Sequence, residues 1–193
     1  MTHLEFWLPS YEFAEHHERL VRAPVATVHR ALHEIDVARI PLVSALMALR
    51  TLPALVLAPR AALERLRRSR KQPRSLGIAA VGGFVLLADE PNEIVLGLTG
   101  RFWRAAGEVL PSDPATFRDP PPSGCARAAM NFLITSRSKN ETLLETDTRI
   151  HCGDEASRRA FARYWRAIRL GSGAIRHAML RTIARRAEAD ASP

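Results

Sequence analysis

Residues 125–180 read CARAAMNFLITSRSKNETLLETDTRIHCGDEASRRAFARYWRAIRLGSGAIRHAML, and this stretch decides the fold. Two strands open it, Cys125 to Thr135 and Thr142 to Cys152, in which residues alternate at a period of two. Ser136 to Glu141 between them has the length and composition of a hairpin connection, so the strands pair antiparallel. Gly153-Asp154 then offers a helix cap, and a helix runs to about Glu188. Phe161, Trp165, Ile168, Ser172, Ile175 and Met179 fall on one stripe of it, while nine arginines between Arg158 and Arg186 occupy the rest. Such a helix packs one face on a sheet. Two glycines in Gly171-Ser172-Gly173, each costing about 1 kcal/mol against alanine, predict a bend or a close approach.

The alternation also assigns faces. Met130, Phe132 and Ile134 turn inward with Leu144, Thr146, Thr148 and Ile150. A register with Phe132 beside Thr148 and Asn131 beside Arg149 keeps both sets consistent and leaves Asn131, Asp147 and Arg149 as an outer polar ladder. The opposite register would aim that trio at a substrate, but cross-strand pairing is the commoner fate of such residues. Thr146 and Thr148 put hydroxyls on an apolar face, where they serve a ligand or each other.

Upstream, an amphipathic leader from Leu4 to Tyr11 precedes a strand at His16 to Arg22, which Ala23-Pro24 ends. Val25, Val28, Ala31, Leu32 and Ile35 then mark one face of a short helix. The run from Ile40 to Ala58 approaches membrane-span length. Arg50 near its centre costs about 2.5–3.5 kcal/mol on insertion scales, and Pro41 and Pro53 interrupt it, so a lid-like helical hairpin fits better than a span. Arg60 to Arg74 holds seven basic groups and one acid, which makes 40–74 an insertion with a solvated basic face or a contact to anionic membrane. Further strands are expected at 78–89, 94–99 and 101–104, then a loop over 111–124.

The whole chain has 193 residues, 47% hydrophobic and 25% charged, a mixture too apolar for a disordered tail and too polar for a multi-span membrane protein. One domain covering 1–193 is expected. The +8 net charge favours anionic partners, yet no zinc finger, RNP motif or helix-turn-helix accompanies it, and 6% aromatics offer little for base stacking. Nucleic acid is therefore not the expected partner. Cys125 and Cys152 lack CxxC spacing, and MTHLEFWLPSYEF has no basic n-region, so a reducing cytoplasm is expected. His29 and His33 have the i, i+4 spacing of a metal pair, but no third donor has a known position, and no metal is assigned. Neither GxSxG, Walker A nor a helix-opening GxGxxG occurs, so no cofactor is assigned. His151 and Cys152 are consecutive strand residues on opposite faces, which prevents imidazole from activating the thiol.

A strand, helices, a run of antiparallel strands and a long last helix form an α+β order that resembles the helix-grip fold of the START/Bet v 1-like (SRPBCC) superfamily. A bacterial branch of that superfamily is resembled through Leu8-Pro-Ser-Tyr-Glu-Phe13, Val21-Arg-Ala-Pro24, Leu96-Gly-Leu-Thr-Gly-Arg-Phe-Trp103, Asn131-Phe132, Thr146-Asp-Thr-Arg149 and Tyr164-Trp-Arg-Ala-Ile-Arg-Leu-Gly-Ser-Gly173. The chain departs from it at Met130, Asp147 and Leu170, where an aromatic, a glutamate and a proline are expected. The resemblance implies a curved antiparallel sheet wrapped around the C-terminal helix, with a cavity for a hydrophobic small molecule or lipid between them. Its expected lining is Trp103, Met130, Phe132, Thr146, Thr148, Trp165, Ile168 and Ser172, in a carrier or sensor. The alternative is a polyketide cyclase or dehydratase, which needs an inward carboxylate, histidine or tyrosine; Tyr164 and Glu90 are candidates without a fixed position. Without a cavity, an interaction module remains.

Overall fold

A computed structural model describes residues 1–36, 40, 83–104 and 108–192. The hairpin expected from Ile40 to Ala58, Ile40 itself excepted, the basic stretch Arg60–Arg74 and residues 78–82 of the next expected strand lie outside the described residues. The elements in order are α1 (His3–Trp7), β1 (Phe13–Val21), α2 (Val25–Glu34), β2 (Val85–Glu90), β3 (Glu93–Arg101), β4 (Glu108–Leu110), β5 (Ala126–Ser138), β6 (Glu141–Cys152) and α3 (Glu155–Ala191). A 3-10 turn at Pro114–Thr116 lies in the loop before β5.

The strands form one antiparallel sheet of order β1-β6-β5-β3-β2, with β4 beside β3. The curved sheet and the long α3 make the expected helix-grip fold. Burial along β6 alternates strictly, every second residue from Thr142 to Cys152 being buried, which fixes its inner face. The β5–β6 register pairs Met130 with Thr148 and Ala129 with Arg149, two residues from the expected pairing. The cause is the turn and the bulge beside it: Lys139-Asn140 alone connects β5 to β6, setting Ser138 opposite Glu141, and a bulge between Ser136 and Ser138 moves the pairing by one residue more. A shift of two conserves the faces, and the inner set is unchanged.

Two apolar clusters lie between the sheet and the helices. One holds Val28, Leu32, Ile94, Leu96, Phe132, Leu144, Leu180 and Ile183; the other holds Leu98, Phe102, Ala128, Ile150, Cys152 and Phe161. Helix α3 spans both without a break, and Asp154 caps its start: its carboxylate accepts from Ser157 N–H, while Ser157 Oγ accepts from Asp154 N–H. Gly171 and Gly173 sit inside a continuous helix. Gly173 marks a close approach, since a Cβ there would stand 3.2 Å from Glu15 Oε1, whereas Gly171 has open space.

Asn131, Asp147 and Arg149 lie on the outer face, as expected, but that face is covered: Asn131 is 1% exposed beneath α1, in company with Leu4, Leu8, Val95, Phe117 and Ala129. Its amide donates to Glu93 Oε1 at 2.7 Å and its carbonyl accepts from Asp147 N–H at 2.8 Å. Glu93, also buried, accepts from His3 and Leu4 N–H, the free donors at the start of α1. Arg149 reaches Leu8 O and stacks over Tyr11. Residues 102–104, expected as strand, form a turn after β3. No helix among the described residues is long and apolar enough to cross a membrane.

Candidate ligand site between the sheet and the last helix

Three elements change character at the same level of the inner face. Along β1 the inward residues run Phe13, Glu15, His17 to Val21; along β6 they run Ile150, Thr148, Thr146, Leu144. Strand β6 passes from one apolar cluster to the other through Thr148 and Thr146, and β1 through Glu15, His17 and the exposed Arg19. The β1–β6 register sets Glu15 beside Thr148 and His17 beside Thr146. Helix α3 faces this belt with Ser172, Gly173, Arg176 and His177, which share a face by their i, i+4 spacing.

Ser172 Oγ donates to Glu15 Oε2 at 2.9 Å. His17 Nε2 stands 3.2 Å from Glu15 Oε1, out of line for a hydrogen bond, and its ring meets that of His177 edge-on at 4.6 Å. The Glu15 side chain is 9% exposed and that of His17 15%. Burial pulls the Arg176 guanidinium below its ordinary value, against the charge of Glu15. Among the described residues, three enclosed polar atoms of this belt lack a hydrogen-bond partner: His17 Nε2, Thr146 Oγ1 and Arg176 Nε. An enclosed polar atom left unpaired costs about 1–3 kcal/mol, so the belt carries three polar groups with hydrogen-bonding capacity to spare.

The residues expected as lining fall into three groups. Thr146, Thr148 and Ser172 belong to the belt. Trp103 and Trp165 pack on Phe161 in the second cluster, while Met130 and Phe132 are buried in the first. Ile168 is half-buried and belongs to neither cluster. Tyr164 packs on Phe161, and Glu90 is exposed at the β2 end. Glu15, His17 and Arg176 were missed in the sequence. The parity of β1 carries the signal for the first two: counting back from Val21 in steps of two places 17 and 15 inward with it. A separate concavity of about 540 Å³, lined by Arg22, Pro24, Thr27, Ser138, Asn140, Glu141 and Ala191, contains none of these residues.

Two nearby titratable groups are shifted by their surroundings. On the outer side, burial lowers His16 but the hydrogen bond and charge of Asp147 outweigh it, so the imidazole ends raised above its ordinary value. Burial, reinforced by Glu12, pushes the Cys152 thiol up to about 12. Cys152 in the native protein is therefore expected to resist alkylation at mildly alkaline pH while the denatured chain takes label, as peptide mass spectrometry would read. Native labelling at the rate of a free thiol would contradict its enclosure.

No family model matches the chain, and no curated protein is similar to it. Among solved structures it is similar to a protein of Thermus thermophilus, at TM-score 0.37 and 12% identity over 93% of this chain and 100% of that one. It is similar to the di-domain ARO/CYC BexL from the BE-7585A biosynthetic pathway at TM-score 0.36 and 12% identity, over 94% of this chain and 48% of that one. It is also similar to the Zhui aromatase/cyclase from Streptomyces sp. R1128, at TM-score 0.31 and 13% identity over 91% and 93% of the two chains. These are likenesses of chain path at low similarity, and no residue role passes from those proteins to this one.

Proposed function

We propose that this chain, as a single START/Bet v 1-like domain, binds a largely apolar small molecule or lipid between sheet and α3, as a carrier or sensor. The observation that carries the reading is the trio of unpaired, enclosed polar atoms on His17, Thr146 and Arg176 between two apolar clusters. Arg176 Nε can only donate and the Thr146 hydroxyl can do so, so the ligand end that meets them is an oxygen acceptor, with its hydrocarbon or ring lying against the clusters.

This reading makes a signed prediction. Thr146→Val removes an unpaired hydroxyl at nearly constant shape, so the ligand-free protein gains about 1 kcal/mol in denaturant unfolding. The same change weakens binding of 1-anilinonaphthalene-8-sulfonate, an apolar probe with acceptor oxygens, by about threefold to tenfold in a fluorescence titration. A destabilised variant with unchanged probe affinity would count against the belt as a ligand site.

A proton-transfer enzyme of the cyclase or dehydratase type is the second reading, favoured by one observation: Glu15 and His17 lie side by side on the inner face. A carboxylate and an imidazole so placed can take a proton from an acidic carbon and return it. Such activity would put deuterium from heavy water into the bound molecule, and Glu15→Gln would stop it. Absence of exchange with wild-type protein rejects catalysis and leaves the carrier reading intact.

A further inference from the structure

We propose that His29, His33 and Asp89 bind one divalent transition metal ion, with Zn²⁺ as the best match, at a site apart from the interior belt. The spacing of His29 and His33 places both imidazoles on one face of α2, and their rings lie 4.7 Å apart. The third donor, whose missing position left the pair unassigned from the sequence, is supplied by β2. Asp89 Oδ1 stands 3.2 Å from His33 Nε2 and 3.8 Å from His29 Nε2. Ligand atoms held about 2.0–2.1 Å from one tetrahedral zinc lie about 3.3 Å apart; the His33–Asp89 pair already has that separation, and the three donors, all within 4.8 Å of one another, reach it by small side-chain adjustments.

The backbone of β2 explains how an aspartate at a sheet edge meets a helix on the inner face. A bulge between Leu86 and Ala88 shifts the register against β3. Before it, Val85 and Leu87 pack with the outer cluster and Leu86 with the inner one; after it, Ala88 joins the outer cluster, and the alternation resumes one residue out of step. Asp89 is thereby turned to the side where α2 lies. His29 Nε2 is enclosed and has no hydrogen-bond partner among the described residues, an unexplained donor or acceptor aimed at this point. Two imidazoles and one carboxylate form a set that suits zinc and its first-row neighbours, and side chains 28–36% exposed leave the remaining position to water. The other group of similar composition, His16, Glu18 and Glu145, is open to solvent at two of its three members, and His16 is already bonded to Asp147.

His33 and Asp89 are distant in sequence, so only the folded chain presents the three donors together and binding must stabilise it. The test uses untagged protein stripped with a chelator and titrated with ZnCl2 by calorimetry, and with Co²⁺ by visible absorption. One ion per chain, a Tm that rises with zinc, and a Co²⁺ spectrum with imidazole ligands are expected. His33→Ala and Asp89→Asn each lose these, by tenfold or more in affinity, while His16→Asn keeps them. The Tm of each variant in chelator reports separately whether it folds. Absence of stoichiometric binding by wild type, or binding that survives both His33→Ala and Asp89→Asn, overturns the proposal; neither outcome touches the interior site.

Discussion

Phe132→Ala is expected to lower the unfolding free energy by about 3–5 kcal/mol, measured by denaturant titration. Phe132 is 0% exposed, in the middle of the cluster that joins α2, α3 and the inner faces of β3, β5 and β6. Truncation there loses the ring's transfer free energy and opens a cavity that close-packed neighbours fill only in part. A loss below 1 kcal/mol would show that the ring does not pack as described. The sequence places Phe132 on a ligand lining, and in the structure its ring is fully enclosed among the cluster's side chains. A charged residue at 132 would abolish folding together with binding, so ligand tests belong to Thr146, Glu15 and Arg176.

Glu93→Leu is expected to cost about 3–5 kcal/mol, although a leucine fits a buried site. The carboxylate accepts from the Asn131 amide and from His3 and Leu4 N–H, and its loss leaves two buried donors and one part-buried donor without that partner. Glu93→Gln retains an acceptor and costs less, because charge-assisted bonds become neutral ones. Amide exchange distinguishes the cause: His3 and Leu4 should lose protection in the leucine variant before the β5–β6 hairpin does. Uniform loss over the whole sheet would instead assign Glu93 to the global core.

Much of this architecture was legible because β6 and α3 carry strong periodicity. Strict alternation gave the faces of β6, and the stripe from Phe161 to Met179 gave the face of α3. Faces survive a register shift of two, which explains why the inner set was right while the pairing of Phe132 with Thr148 was not. The cover over the outer polar residues was not legible, for a different reason. Alternation tells which side a residue faces but not what covers that side, and the cover, α1 with Phe117, comes from remote segments. Gly97 shows the same limit: it is a glycine because a Cβ there would run into the Phe117 ring and Leu87, a contact invisible before the loop is placed.

The candidate site was half legible. Thr146, Thr148 and Ser172 stood out as polar residues on apolar faces. Glu15 and His17 did not: a strand beginning at His16 excludes Glu15, and without a partner register the parity of His17 has no test. Asp89 was hidden more deeply, since a bulge reverses its alternation and no sequence pattern announces it.

The central claim, that the belt of Glu15, His17, Thr146 and Arg176 holds the polar end of an apolar ligand, is tested most directly by native mass spectrometry. The protein as purified is compared with Arg176→Met, and anything bound is released into organic solvent and weighed. The account predicts a defined apolar adduct on the wild type that is depleted tenfold or more on the variant, both folded by circular dichroism. An adduct retained equally by Arg176→Met, or a wild type that neither carries an adduct nor binds the anilinonaphthalene probe, would contradict it.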